Sequence, residues 1–306
     1  MSSPADPIVI TGANGHLGQA LARRWAGRPI RAVVRSERAA GALRALPEDA
    51  RPEIHVLDYH DEDALRRAGE GCSAWVNLVG ILREGANARY VDAHERTALH
   101  LARAAEKASA QRIVSLSILG AAPDSPNPCL ASKGRADALL VDSAVPTTVL
   151  RLPMVIGRHE IATAALGAQA RARLVFLTRG GRTIERPIDT RDVAEAVRAA
   201  SELRDGRDHV LDLAGPAALS HRELVSRVAS VLGTTAPRVV PVPFSLVAGF
   251  AAIMERVSPD PPLTRAMLGV LEHDDEIDPA PAAARLGIAL TDLDDTLRAT
   301  FSEEPE

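Results

Sequence analysis

The segment Thr11-Gly-Ala-Asn-Gly-His-Leu-Gly18 stands between a short apolar, β-branched run, Ile8–Thr11, and a stretch with helical periodicity, Gly15–Trp25. No other feature constrains the fold as much. Gly12 permits a tight turn, Gly15 lets the backbone approach a pyrophosphate, and Gly18 allows helix and strand to pack closely. A phosphate in that position rests on the free N–H groups of a helix start. A string of three glycines alone is a weak signal. Directly after the first strand of a βαβ unit it becomes a strong one.

The chain around this loop has the rhythm such a unit needs. Strand-like runs at Ile8–Thr11, Ile30–Val34, Ile54–Leu57, Ala74–Val79, Ile113–Leu119 and Thr147–Leu152 are separated by helical segments. The helices fall near 15–25, near 37–46, after Asp61 or Asp63, through Asp92–Ala108 and over Ser132–Ser143. Short apolar runs alternating with helices predict a parallel sheet covered on both faces, an α/β doubly wound arrangement of the Rossmann type. Past about residue 155 the rhythm changes. Helical stretches near 160–172, 190–203 and 220–232, with strand-like pieces at Val210–Leu213 and Val239–Val242, predict a smaller, mostly helical lobe. The expected division is 1–157 for a dinucleotide-binding domain and 158–306 for a C-terminal substrate or partner lobe with elements returning to the sheet. A last amphipathic helix is expected over Leu290–Phe301, with Ser302–Glu306 frayed.

Composition excludes several functions. A net charge of −4 gives no basic footprint for nucleic acid, and 3% aromatic residues leave little for base stacking. Cys72 and Cys129 lie far apart, without metal spacing, and fit a reduced cytoplasmic protein. The opening MSSPADPIVITGANG lacks the basic and apolar regions of a signal peptide. The apolar stretch Phe244–Met254 is too short to span a bilayer and is expected to be a buried helix rather than an interfacial anchor. His94 and His100 sit six apart on one helix, a poor pair for a metal, and His273–Asp278 is expected to be a solvated acidic loop. Asp189 and Asp192 are expected to be helix N-cap and first-turn acid, and 171–182 an Arg-rich surface helix.

Arg35 closes the second strand, where an acidic residue would bond the ribose 2′-hydroxyl of NAD and an arginine would meet the 2′-phosphate of NADP. A plain surface arginine is the alternative. Asp58 and Tyr59 follow the third strand, where such a fold covers the adenine; an exposed aspartate is the alternative there.

TGANGHLG, Asp58 and Asn77-Leu-Val-Gly80 together resemble the extended or atypical short-chain dehydrogenase/reductases. NLVGIL at 77–82, SILGAAPDSPNP at 117–128 and ERPIDTRDVAEAV at 185–197 are similar to the branch around the nucleotide-binding accessory subunit of respiratory complex I. The likeness is specific over the first 200 residues or so. Later only PPLTR at 261–265 and LGIALTDLDDTL at 286–297 carry it. The resemblance implies that Gly12, Asn14, Gly15 and Gly18 hold the pyrophosphate, with backbone N–H groups from His16 and Leu17. It sets Arg35 against a 2′-phosphate, Asp58 and Tyr59 by the adenine, and Val79 and Gly80 by the adenosine ribose. Ser117 matches a serine that holds a carbonyl substrate, and Lys133 a lysine that bonds the nicotinamide ribose. Pro153, Met154 and Val155 match the lining of the nicotinamide pocket, with the proline one step later than the family's usual LRP. The implied cofactor is NADP(H) in preference to NAD(H).

The departure lies in CLASK at 129–133. The family's proton donor is a tyrosine four residues before the lysine, and here that position holds Cys129. A thiol ends about 3–4 Å short of a phenol oxygen, and proton transfer requires hydrogen-bond contact or one bridging water. An ordinary thiol beside Lys133 is expected to favour thiolate, which donates no proton. Three functions follow. The first is an NADP(H)-binding protein without tyrosine-based catalysis, its lobe contacting a protein partner or a small hydrophobic ligand, peripheral membrane contact included. The second is an active NADP-dependent oxidoreductase or epimerase on a carbonyl or quinone-like molecule. The third is a scaffold with a vestigial pocket.

Overall fold

A computed structural model describes residues 6–302; Met1–Ala5 and the end of the expected frayed tail, 303–306, lie outside the described residues. The first strands and helices are β1 (Ile8–Thr11), α1 (His16–Arg24), β2 (Ile30–Val34), α2 (Glu37–Arg44), β3 (Glu53–Val56), α3 (Glu62–Ala68) and β4 (Ala74–Asn77). A π-helical turn, Val91–Arg96, leads into α4 (Thr97–Lys107), followed by β5 (Arg112–Ile118), α5 (Pro128–Val141) and β6 (Thr147–Leu152). The strands form one parallel seven-stranded sheet. Its order is His209–Asp212, β6, β5, β4, β1, β2, β3. The chain reverses its direction of travel across the sheet between β3 and β4, so the switch point falls between β1 and β4, where open α/β sheets form their ligand crevice.

Alternate strand residues feed two cores, as the side-chain period of two requires. Ile8, Ile10, Val76 and Val114 pack with Leu21 of α1, Leu43 of α2 and Val193 and Val197 of the helix Thr190–Glu202. Val9, Trp75 and Ile113 pack with Leu65 of α3, Leu101 of α4 and Leu140 of α5. The sheet is thus covered on both faces. A third core joins the helices Ile161–Arg171, His221–Val231 and Leu293–Phe301 through Leu166, Leu224, Val228 and Leu297.

Three expectations are corrected. The helix containing CLASK begins at Pro128, because Asn127 accepts hydrogen bonds from the N–H groups of Cys129 and Leu130 and proline suits the first helical position. Within 171–182 the chain is a strand, Leu174–Thr178, paired in parallel with Arg238–Val242; its alternating burial, with Val175 and Leu177 inside, overrides the run of arginines. The apolar helix Phe244–Val257 buries Ala251 alone and turns its large side chains to solvent.

Candidate functional site

The glycine loop leaves β1 at the switch point. Gly12 has φ +76°, and a Cβ there would lie 3.1 Å from backbone atoms of Leu78 and Val79 at the end of β4. Its N–H donates to the Val33 carbonyl and to the Tyr59 hydroxyl, while that hydroxyl donates to the Val33 carbonyl. Tyr59 therefore braces the loop against β2. A Cβ on Gly18 would meet the Ala13 carbonyl oxygen at 2.4 Å, so its absence lets α1 fold back on the loop itself. Gly15 differs, because its Cβ would meet only the Gly12 oxygen at 3.5 Å. What lies beyond Gly15 is open space.

That space is a cavity of about 560 Å³ lined by Gly12, Asn14, Gly15, Arg35, Ser36, Arg38, Ala39, Ala42, Tyr59, Leu78, Val79 and Gly80. Gly15 is the N-cap of α1 and offers no side-chain cap, and the first turn holds no acid. The N–H groups of His16, Leu17 and Gly18 have no partner within the helix and carry its positive dipole end. Across the cavity, the Arg35 guanidinium lies over the Tyr59 ring at 5.6 Å. Neither Arg35 nor Arg38 forms an ion pair among the described residues. Seven of the expected cofactor residues meet here: Gly12, Asn14, Gly15, Arg35, Tyr59, Val79 and Gly80. Arg38, Ser36, Ala39, Ala42 and Leu78 were not foreseen; α2 starts one residue after Ser36, so its first turn was the signal available. Asp58 lines no part of this cavity. Its carboxylate accepts from the His60 N–H and shapes the turn into α3.

At the strand ends, a buried polar ladder crosses the sheet. Thr11 Oγ1 donates to Asn77 Oδ1 at 3.1 Å, and Asn77 Nδ2 donates to Ser115 Oγ at 3.3 Å. Next to it lie the three residues expected to carry chemistry, each bonded inward. Ser117 Oγ donates to Asp137 Oδ2 at 2.8 Å, Lys133 Nζ to the Leu116 carbonyl at 2.7 Å, and the Cys129 thiol faces the Ile81 carbonyl at 3.6 Å. Arg151 also holds Asp137. Cys129 is fully buried, and burial pushes its thiol up to about 11, more than the Tyr90 hydroxyl and the Lys133 ammonium pull it down. The expectation of a thiolate is thereby corrected: in this interior desolvation outweighs the nearby cation. Burial likewise lowers Lys133. Pro153, Met154 and Val155 carry the chain off β6, with the Met154 carbonyl accepting from the Ile188 N–H.

His94 completes this end. Its Nε2 accepts from the Ile81 N–H at 3.1 Å, and its ring stacks on Tyr90. Burial, then the Lys133 charge, lowers it to about 3, so it is neutral. Gly80 leaves room between His94 and Lys133, since a Cβ there would stand 3.8 Å from His94 Nε2 and 3.9 Å from Lys133 Nζ. Tyr90 lies beside Cys129 and donates to the Leu82 carbonyl at 2.8 Å, and burial raises its pKa. Tyr90 also lines a second cleft of about 740 Å³ between the sheet domain and the segment 255–266. Asn127 Nδ2 grips the Ala266 carbonyl across that cleft at 2.8 Å. Among the described residues no group of three or more His, Cys, Asp or Glu side chains is placed to hold a metal.

Known proteins share the family and the fold of this chain. A family model described as NAD(P)H-binding matches residues 12–202. The mitochondrial NADH dehydrogenase (ubiquinone) 1 alpha subcomplex subunit 9 of Arabidopsis thaliana is 27% identical over 260 residues, 82% of this chain. The matched segment spans 64% of that relative's length. The likeness to the complex I branch read from the sequence is thus found. Among solved structures, WbmG of Bordetella bronchiseptica in complex with NAD superposes with a TM-score of 0.70 at 20% identity, covering 96% of this chain and 92% of its own. The UDP-glucose 4-epimerase of Thermotoga maritima with UDP-glucose gives 0.71 at 14% identity, covering 96% and 97%. Both are likenesses of fold.

Proposed function

The chain belongs to the NAD(P)H-binding family, and from that premise we propose an NADP(H)-binding protein of the short-chain dehydrogenase/reductase fold that has lost tyrosine-based proton transfer. The observation that carries the reading is two guanidinium groups, Arg35 and Arg38, that form no ion pair among the described residues and line a cavity together with the glycine loop. Two cations without carboxylates suit a 2′-phosphate, and the absent Cβ of Gly15 leaves the approach that a pyrophosphate needs.

In this reading Gly12, Asn14 and Gly15 surround the pyrophosphate, with the N–H groups of His16, Leu17 and Gly18 pointing at it. Tyr59 works from beneath, as a brace, and Asp58 stands outside. Val79 and Gly80 flank the adenosine ribose. Lys133 keeps one of its three donors on Leu116 and has two for the nicotinamide ribose. Pro153, Met154 and Val155 bound the nicotinamide. A bound nicotinamide supplies hydride; the Cys129 thiol keeps its proton, turned to the Ile81 carbonyl and too short to reach a carbonyl substrate as a tyrosine would. Residues 1–157 serve as the nucleotide domain and 158–306 as the lobe that meets a partner or ligand. Two buried free cysteines suit a reducing compartment such as the cytoplasm.

A working reductase is the second reading, and one observation favours it: the Tyr90 hydroxyl lies beside Cys129 and borders the larger cleft. Its bond to Leu82 and its raised pKa both hold the proton in place. The first reading is tested by native mass spectrometry of the gently purified protein. It expects one NADP(H) per chain, persisting on dilution, and a bare chain that refuses added NADPH contradicts it. Loss of the proton donor is tested by pairing Cys129→Tyr with Tyr90→Ala, which makes room for the new ring. Carbonyl reduction should appear in the double variant. Turnover by the native chain that the double variant abolishes contradicts the loss.

A further inference from the structure

The helix Phe244–Val257 is built inside out. Leu246, Phe250, Ile253 and Val257 recur at spacings of four, three and four, one face of a helix, and are 65%, 55%, 54% and 68% exposed. The small Ala251 is the residue it buries. A helix that turned this stripe into the core would gain the full hydrophobic benefit of four large side chains, so leaving them in water points to something that covers them. The same unit exposes more. Strand Leu174–Thr178 presents Leu174 and Phe176 at 43% and 67% exposure, its partner strand Arg238–Val242 runs through Pro243 straight into the helix, and three of the chain's four phenylalanines are exposed here.

Charge says what the cover is. The outward charge on the helix is Arg256, while Glu255 turns to Arg265 at 2.9 Å. The segment RARLVFLTRGGR at 171–182 contains four arginines and no acid in a chain of net charge −4. Arg173, Arg182, Arg238 and Arg256 form no ion pair among the described residues. An apolar helical stripe with Arg256 beside it, joined through Pro243 to a ribbon carrying cations that form no ion pair among the described residues, is the pattern of a helix lying in a lipid interface. A second copy would set the same cations against one another across a two-fold axis. At 14 residues the helix is about 21 Å long, and no helix among the described residues is long and apolar enough to cross a membrane.

We propose that the outward face of Phe244–Val257, with the adjoining ribbon, docks on an anionic lipid surface. Because Glu255 on the helix, and Ser258 and Pro259 directly after it, line the larger cleft, docking brings that cleft close to the lipid. This does not depend on which nucleotide is bound.

The test is flotation of the full chain with phosphatidylcholine vesicles, with and without phosphatidylglycerol. Binding is expected with the anionic vesicles, weakened by salt and abolished by Phe250→Glu with Ile253→Glu. Both side chains are exposed, so the thermal transition should not move. Arg256→Glu, a milder change, should weaken binding by at least about fivefold, from roughly 1 kcal/mol per basic residue at such a surface. Failure to float with either vesicle overturns the proposal. So does binding indifferent to all three substitutions, or a dimer that Phe250→Glu dissolves while vesicles capture nothing.

Discussion

Arg35 and Arg38 face a cavity whose lining holds no carboxylate, whereas Ser117, Cys129 and Lys133, buried outside that lining, are each bonded to protein. In the first region Gly15 keeps space that no protein atom uses. In the second, a thiol is fully buried and a lysine donates to a main-chain carbonyl. Groups kept free of partners are available to a ligand. Ser117 and Cys129 each spend their donor on protein, and Lys133 spends one of three, which leaves it two. In the proposed reading, nucleotide binding is kept and tyrosine-based chemistry is lost.

The contrast is broken most readily at the cations. Replacing Arg35 and Arg38 together by alanine should cost about 3 kcal/mol of NADPH affinity, roughly 100-fold, and leave NADH affinity unchanged, as read by calorimetric titration. Equal losses for both nucleotides would remove the arginines from the 2′-phosphate. In the second region, alkylation of Cys129 by iodoacetamide at pH 8 should run about 100-fold slower than for an ordinary thiol and rise only as pH nears 11. Peptide mapping distinguishes it from Cys72. Fast labelling at pH 8 would return a reactive thiol to the site.

Two glycines sharpen the comparison within the loop. Gly18→Ala drives a methyl group into the Ala13 backbone and should cost about 2 kcal/mol of stability, measured by urea unfolding. Gly15→Ala meets nothing closer than 3.5 Å, so it should unfold like the parent and bind nucleotide less tightly. A reversal of the two would overturn the division of labour. The smallest effect is in acid. His94 falls to about 3 when folded, so between its ordinary pKa and 3 the unfolded chain binds the extra proton, and stability is lost as pH falls. Glu160, raised to about 7 by burial, has the opposite sign, its contribution being lost as pH rises from the ordinary carboxylate range toward 7. The two oppose each other above about pH 4.5. Below that, His94→Gln should flatten the acid limb of the stability profile relative to the parent.

The alternation of strand and helix through Leu152 was legible because each strand is a short β-branched run between breakers, and β2 and β6 fall at the residues read from the sequence. What escaped depended on partners distant in sequence. Leu174–Thr178 reads as part of an Arg-rich surface until Arg238–Val242 pairs with it. The helix Phe244–Val257 was expected to be buried because apolar content says nothing of direction, and only packing shows that Ala251 faces in. The start of α5 is written in Asn127-Pro128, a cap followed by a first-position proline, four residues ahead of the periodic run from Ser132. Of the site, the glycines and Arg35 were visible locally. The Tyr59 brace and the Asp137 bond to Ser117 were not, since each joins residues 20 or more apart.

The central claim, a nucleotide site kept for NADP(H), is tested most directly by isothermal titration of the purified chain with NADPH and then NADH. One NADPH per chain should bind, at least about tenfold more tightly than NADH, a difference of about 1.4 kcal/mol. Tighter binding of NADH, or no heat from either nucleotide, would contradict it.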